Sequence, residues 1–303
     1  MKLNLTIVLL ACVATLSAQT VEVTNHYEIT PLTGQSAFFP IISPDGSKIV
    51  YTTQSFTGLK SYDLTTGETQ VITTAEGAGF DPVFSLDGST LYYRPQTRIE
   101  GKVHRALTEF NFKAKSAKQL IAPSRDLKRP AAIAGGMEVV ADSKLIKSTG
   151  AKIEGNYVYS IAKEGKIVVC DGKSTRVLRP YGNQVESYLW TSLSPDGNKI
   201  ATYAIGKGVV VLDLNGNILA ELGNFDAPVW YGNDFVAAMK ATDDGHQYTS
   251  SKIVLLNRNT KQVHDLTSPD EMGMNPSVSA ETGKIVYNTL DGKIFMLELS
   301  ITK

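Results

Sequence analysis

Cysteine is scarce in this 303-residue chain, which contains only Cys12 and Cys170. Two cysteines cannot build a multi-disulfide scaffold or a thiolate metal cage. A surplus of one charge is also lacking, since 30 Lys and Arg balance 30 Asp and Glu. Without a basic surplus there is no electrostatic reason to bind nucleic acid or anionic lipid. Because 42% of the residues are hydrophobic, a packed core is expected rather than disorder.

Long hydrophobic runs are lacking as well. The apolar run near the N-terminus breaks before the roughly 20 residues that a membrane-spanning helix needs. It follows Lys2 and ends in small residues, as a secretory signal peptide does. We therefore expect residues 1–19 to be a cleaved signal and residues 20–303 to form one domain of a periplasmic or secreted protein. A lipoprotein anchored through Cys12 is the alternative. Cys170, in a strand-like run, is expected to be a buried apolar residue.

A repeated turn organises the rest of the chain. Ser-Pro-Asp-Gly at Ser43–Gly46 recurs at Ser194–Gly197 and, as Ser-Leu-Asp-Gly, at Ser85–Gly88, and a weaker copy begins at Ser279. Asp-Gly between two apolar runs is a strong hairpin signal, because glycine adopts positive φ without steric cost. Each copy is followed by a run of β-branched and aromatic residues, which favours a strand.

A proline accompanies the repeat. It lies three residues before the serine in three copies and at the same place in two degenerate copies: Pro40, Pro82, Pro276, Pro130 and Pro228. Proline lacks a donor N–H and is tolerated at a strand start or on a sheet edge, such as the inner edge of a propeller blade. The mean spacing of about 47 residues is typical of propeller blades.

These units predict an all-β fold: a six-bladed β-propeller of four-stranded antiparallel blades. The expected spans are residues 33–73, 74–124, 125–181, 182–223, 224–268 and 269–303. The third unit could be one enlarged blade or one and a fraction, so seven blades is the alternative. The last unit is one strand short. The alternating run Val21–Ile29 is predicted to supply that strand and to close the ring.

The Ser-Pro-Asp-Gly-x-Lys-Ile motif, with proline at its fixed offset, resembles the repeats of the TolB-like, WD-repeat-like β-propeller family. The resemblance covers about residues 33–301 and implies an exported bacterial protein. An isolated propeller is expected, without the N-terminal α/β domain of TolB itself. Because the matching motif is structural, the resemblance transfers no functional residue.

Motifs of catalysis are sparse. Gly172–Thr175 imitates the end of a phosphate-binding loop, but Ile167 replaces the required glycine and the context is a hairpin. There is no Gly-x-Ser-x-Gly nucleophile elbow. The four histidines lack metal-site spacing: His26, His104, His246 and His264. We therefore expect no metal and no cofactor.

One face of the ring is the expected ligand site. The connections between blades share that face with the loops between the second and third strands. Two such loops are long or basic, Lys240–Tyr248 and Arg94–Gly101. Trp190 and Trp230 are expected in the core. The candidate ligand-binding residues at this channel mouth are Asp81, Arg94, Arg129, Asp243, Asp244, His246 and Asn275.

Three function classes fit these observations. The first is a non-catalytic exported module that binds an envelope protein or a glycan. The alternative is a propeller enzyme, a lyase or hydrolase, acting at the channel mouth through His246 and the charged residues around it. The third is a structural subunit of an envelope assembly. The fold alone does not choose between them, because propellers host both binding and catalysis.

Overall fold

The chain is described by a computed structural model that covers residues 19–29, 36–148, 156–161, 163–171 and 173–302. The predicted signal peptide lies outside these residues apart from Gln19, and so do Cys12 and Gly172. No helix in this part of the chain is long and apolar enough to cross a membrane. Cys170 is buried and unpaired, as predicted.

The strands form seven antiparallel sheets, the blades of a propeller. Blade 1 contains β2 (Phe38–Ile42), β3 (Lys48–Thr52), β4 (Leu59–Asp63) and β5 (Thr69–Thr73). Blade 2 contains β6 (Val83–Phe84), β7 (Thr90–Tyr93), β8 (Gln96–Ile99), β9 (Lys102–Asn111) and β10 (Ser116–Ser124), with β8 paired only to β9. Blade 3 contains β11 (Ala131–Ile133), β12 (Gly136–Ala141) and β13 (Lys144–Lys147). Blade 4 contains β14 (Tyr157–Ile161), β15 (Lys166–Cys170) and β16 (Thr175–Leu178).

Blade 5 contains β17 (Tyr188–Leu193), β18 (Lys199–Ala204), β19 (Gly208–Asp213) and β20 (Ile218–Gly223). Blade 6 contains β21 (Asp226–Tyr231), β22 (Phe235–Asp243), β23 (Tyr248–Asn257) and β24 (Val263–Asp265). Blade 7 contains β25 (Met274–Ser279), β26 (Lys284–Asn288), β27 (Ile294–Thr302) and the N-terminal strand β1 (Thr20–Glu28). Two short 3-10 helices flank β25, at Pro269–Glu271 and Ala280–Thr282.

The prediction of six blades is wrong, and the seven-bladed alternative is correct. The unit expected over residues 125–181 divides into blades 3 and 4, and the described residues supply three strands to each. Its hairpins lack the Ser-x-Asp-Gly turn. The β12–β13 turn instead uses Asp142 and Ser143, both at positive φ (47° and 63°). That is a primed two-residue hairpin turn, which usually carries Asn-Gly or Asp-Gly and here has no glycine to mark it.

The N-terminal strand closes the ring, as the alternating pattern predicted. β1 pairs antiparallel with β27 from Thr20 opposite Thr302 to Glu28 opposite Phe295. Val21 and Val23 pack against a core cluster shared by blades 6 and 7. On the inner side of the ring, β25 of blade 7 contacts β2 of blade 1. The first and last residues of the propeller are therefore held in one sheet.

The recurring serine and aspartate have a common hydrogen-bonding role. Ser194 Oγ donates to Asp196 Oδ1 at 2.5 Å and accepts from the Lys199 N–H at 3.0 Å. Ser43 with Asp45, and Ser85 with Asp87, repeat this arrangement. The side chains satisfy backbone donors that the tight turn leaves unpaired, which explains why these residue types recur.

Removing β1 (residues 20–28) should abolish cooperative unfolding or cause aggregation. The deletion exposes the backbone edge of β27 and uncovers the apolar residues beneath Val21 and Val23. Thermal melting and size-exclusion chromatography measure the effect. The variant Glu22→Gln, exposed on the same strand, should melt like the parent. A deletion variant with an unchanged melting curve would contradict closure by β1.

Asp196→Asn should lower the free energy of unfolding at pH 7 by about 1–2 kcal/mol. Partial burial would raise the pKa of Asp196, but hydrogen bonds from Lys199 and Ser194 outweigh it and lower the pKa to about 2. The folded-state pKa thus lies below the unfolded value of about 3.9. The charged form stabilises the fold fully above about pH 4, and this contribution is lost as the pH falls towards 2.

The difference between Asp196→Asn and the parent should therefore shrink between pH 5 and pH 3, as measured by urea unfolding. Glu281→Gln is the matched control. Glu281 occupies the equivalent position in the weaker repeat, where the Ser279 hydroxyl donates to the Pro44 carbonyl instead, 2.6 Å away. A difference for Asp196→Asn that does not change with pH would contradict the assigned role of the carboxylate.

Candidate functional site at the channel mouth

The inner strands carry a repeated backbone distortion near the channel. One residue beside the start of five inner strands has a left-handed conformation with φ between 48° and 52°: Phe39, Asp81, Trp190, Ala227 and Asn275. The strand pairing shifts register around this residue in blades 1, 5, 6 and 7. Left-handed backbone costs a non-glycine residue of order 1–3 kcal/mol, and such strain concentrates at functional sites.

Three of the predicted site residues come together between blades 2 and 3. Arg94 Nη2 lies 3.9 Å from Asp81 Oδ2. Arg129 is exposed just before β11 and is near enough to repel the Arg94 guanidinium. The Tyr157 hydroxyl donates to the Arg129 carbonyl and fixes this part of the backbone. The rule that selected the residue before each inner proline therefore identified two residues, Asp81 and Arg129, that both lie near Arg94.

Arg94 is a buried cation with poor hydrogen bonds. It is only 6% exposed, and its two hydrogen bonds to described residues are long: Nη1 donates to the Leu127 carbonyl at 3.4 Å and Nη2 to the Phe80 carbonyl at 3.5 Å. Among the described residues, none accepts a hydrogen bond from its Nε. Burial lowers the pKa of Arg94 to about 10; the Asp81 carboxylate opposes this shift, and two neighbouring arginines add to it.

Aromatic side chains lie beside this cation, and the sequence analysis did not identify them. Phe39 stacks on Phe56 with ring centroids 4.3 Å apart, and Phe56 meets Phe80 edge-on at 5.3 Å. The Arg94 guanidinium lies 5.8 Å from the Phe80 ring centroid, a cation–π distance. Phe39 immediately precedes an inner proline and Phe80 lies two residues before one. The proline rule would have found Phe39 had it been applied to apolar residues, whereas Phe80 lies one residue too early for it.

The two tryptophans differ in their exposure to solvent. Trp230 is buried in the core, as predicted, and its Nε1 donates to the Ser192 carbonyl. Trp190 is 47% exposed, so the prediction that it lies in the core is wrong. The left-handed backbone at Trp190 breaks the alternation of inward and outward side chains along β17.

The remaining candidates lie elsewhere on the ring. Asp243, Asp244 and His246 are at the tip of the β22–β23 hairpin in blade 6, an extended pair of strands with a four-residue turn rather than a long loop. Asp244 Oδ1 accepts from the His246 and Gln247 N–H groups and shapes that turn. The Arg94–Gly101 segment is likewise largely strand, since β8 pairs with β9.

Asn275 has a structural partner. Its Nδ2 donates to Asn288 Oδ1 at 3.2 Å, and the same oxygen accepts from the Phe39 N–H at 3.1 Å. Asn288 is buried and therefore links blade 7 to blade 1 at the mouth. The structure thus places Asn275 in the joint between the first and last blades.

A second group of polar side chains lies in blade 7, where the sequence gave no signal. His26 Nε2 lies 2.8 Å from the Tyr287 hydroxyl and 3.3 Å from Glu271 Oε2, and Tyr287 donates to Glu271 at 2.9 Å. Burial, followed by the Glu271 carboxylate, raises the pKa of Tyr287 far above its usual range. The group borders an open pocket of about 730 Å³. Tyr287 and Glu271 lie 16 residues apart and contact each other directly, whereas His26 reaches them because β1 pairs with β27.

The chain was compared with known proteins. No protein-family model and no curated protein matches the sequence. The Cps50 (Swd1) β-propeller domain of Myceliophteria thermophila is 10% identical, with a TM-score of 0.60 over 93% of this chain and 100% of that one. An oligogalacturonate lyase in complex with manganese is 13% identical, with a TM-score of 0.50 over 88% and 78%. TolB from Acinetobacter baumannii is 20% identical, with a TM-score of 0.49 over 77% and 54%.

These similarities establish the fold. The structure is a β-propeller, and the resemblance to TolB-like, WD-repeat-like propellers is confirmed at that level. The neighbours range from an oligogalacturonate lyase to the Cps50 (Swd1) β-propeller domain, so their functions do not decide the function of this chain.

Arg94→Met should leave the free energy of unfolding unchanged or raise it by about 1–2 kcal/mol, because it replaces a poorly partnered buried charge by an apolar side chain. Asp81 is half exposed, so its carboxylate stays solvated in the variant. Urea unfolding measures the effect. The control Arg176→Met removes a 3.1 Å hydrogen bond to Asn215 at the opposite face and should give no gain. A loss above about 2 kcal/mol for Arg94→Met would show that Arg94 supports the fold.

Proposed function

We propose that this protein is an exported, non-catalytic β-propeller that binds an envelope protein or a glycan at its channel mouth. The observation that carries the proposal is the pairing of partly exposed aromatic rings with a buried, poorly partnered arginine between blades 1 and 3. The ring beside Arg94 is that of Phe80, which is 42% exposed, and Trp190 in blade 5 is a separate exposed ring of an inner strand, 47% exposed. Exposed aromatic residues beside arginine are typical of interaction surfaces.

The N-terminal sequence supports the exported part of the proposal. Residues 1–19 have the charge, the short apolar run and the small-residue exit of a signal peptide. Residues 20–303 would then be the mature propeller, in the periplasm or outside the cell. Cys170 would be the one cysteine left after cleavage, so the mature chain could form no intramolecular disulfide in an oxidising compartment.

The placement of the charged candidates favours binding over catalysis. An enzyme at the mouth would need its acid and base within hydrogen-bonding reach of one substrate. Arg94 and Arg129 belong to blades 2 and 3, whereas the Asp243–His246 tip belongs to blade 6. No described contact joins the two groups. The His246 imidazole makes no hydrogen bond or ion pair with any other described side chain.

A pull-down from envelope extracts tests the proposal. The double variant Phe80→Ser, Trp190→Ser should reduce recovery of the bound partner at least tenfold, because it removes two exposed rings from the mouth. Leu86→Ser is the matched control: Leu86 is 59% exposed in blade 2 but lies in the Ser85–Ser89 turn at the opposite face. Replacing residues 243–246 by a Gly-Ser turn tests the blade 6 tip separately.

Equal recovery by the parent and the double variant would contradict the proposal. If Leu86→Ser loses the partner and the double variant Phe80→Ser, Trp190→Ser retains it, the partner binds at the opposite face. Circular dichroism and melting curves of each variant establish that the ring is intact.

A further inference from the structure

Three arginines lie together between blades 2 and 3 and form an arginine patch: Arg94, Arg105 and Arg129. Their mutual repulsion lowers the pKa of Arg94 beyond the effect of burial. The one carboxylate paired with Arg94 is that of Asp81, and its oxygen is 3.9 Å away. Arg105 and Arg129 have no side-chain hydrogen bond or ion pair to any residue that the structure describes. Within the described part of the chain, Asp81 is therefore the one carboxylate paired with the patch, and the rest of its positive charge has no partner there.

The hydrogen bonding of Arg94 indicates that the patch lacks an acceptor for its buried guanidinium. Buried polar groups in folded proteins are nearly always hydrogen-bonded, and a buried charge without partners is costly. The Nε atom of Arg94 is buried and lacks an acceptor among the described residues, and its terminal nitrogens make only contacts of 3.4 Å or longer. An anionic ligand at the patch would offset the repulsion among the three guanidinium groups.

The surroundings of the patch favour a ligand that also carries an apolar group. The Phe80 ring lies 5.8 Å from the Arg94 guanidinium and remains 42% exposed. Phe56 packs edge-on against it. A ligand that covers Phe80 would bring an apolar group within reach of the arginines. The complementary chemistry is thus a carboxylate next to an apolar side chain.

We infer that the channel mouth binds an acidic segment of a protein partner, with carboxylates at the arginine patch and an apolar side chain on Phe80. This inference rests on the proposed function and names the class of its ligand. An acidic glycan fits less well, because its many hydroxyl groups need several polar side chains. The exposed ring beside the patch is that of Phe80, the buried Tyr157 already donates its hydroxyl to the Arg129 carbonyl, and Asp81 is the one acidic side chain paired with the patch among the described residues.

Fluorescence anisotropy with a synthetic peptide tests the inference. The probe is a fluorescein-labelled peptide of alternating glutamate and leucine, and a lysine–leucine peptide is its counterpart. The acidic peptide should bind the full propeller and the basic one should not. The double variant Arg105→Gln, Arg129→Gln should weaken binding at least tenfold, the loss expected for one charge-assisted hydrogen bond. Phe80→Ser should also weaken it, and added salt should weaken binding to the parent.

The control Arg176→Gln neutralises an arginine that hydrogen-bonds Asn215 at the opposite face and should bind like the parent. Melting curves confirm that each variant is folded. Equal binding of the acidic and basic peptides, or binding that survives Arg105→Gln, Arg129→Gln, would overturn the inference. Binding of an oligouronate in place of the acidic peptide would overturn it in favour of a glycan.

The outcomes separate this inference from the proposed function. If the acidic peptide fails to bind while the Phe80→Ser, Trp190→Ser variant loses its envelope partner, the mouth is a binding site for a ligand of another class. If the pull-down is unaffected by that variant, the mouth itself is not the site.

Discussion

The antiparallel pairing of β1 with β27 is the interaction on which the rest of the structure depends. A propeller blade buries its faces only against neighbouring blades, so an open ring would expose one side of blade 7 and one side of blade 1. Pairing the two termini in one sheet closes the circle through the hydrogen-bonded ladder between β1 and β27. It also positions Asn288, which holds Asn275 and Phe39 at the mouth. Without the closing strand there would be no defined mouth.

The closed ring constrains the residues at the start of its inner strands. Each inner strand is an unpaired edge facing the channel, and proline at its start removes a donor that would otherwise be open. The left-handed residue beside it shifts the pairing register and changes which side chains face the channel. The five inner prolines are all buried, so this edge is part of the packed interior. The mouth is thus assembled from strained backbone held by a rigid ring, which is a means of presenting side chains without a flexible loop.

Much of this fold could be predicted from the sequence, because glycine turns and alternating strands are local signals. Ser43–Gly46 marked its hairpin, and Val21–Ile29 showed the period of two that a half-buried strand requires. Blades 3 and 4 could not be separated, since Asp142 and Ser143 form a primed turn without glycine. Trp190 was misplaced because one left-handed residue inverts the alternation. Part of the candidate site was also predictable: the proline rule located Asp81 and Arg129, but the burial of Arg94 depends on contacts between blades.

The buried arginine indicates why the mouth, rather than the opposite face, is the candidate site. At the opposite face the charged residues are well partnered: Asp196 receives hydrogen bonds from Ser194 and Lys199, and Arg258 from blade 6 pairs with Asp234 at 3.1 Å. Those contacts serve the turns in which they lie. Arg94 instead has long hydrogen bonds, and its buried Nε has no acceptor in the described part of the chain. A fold optimised only for stability would replace such a group by an apolar one. Its presence beside exposed Phe80 is the reason for proposing a binding role for the mouth.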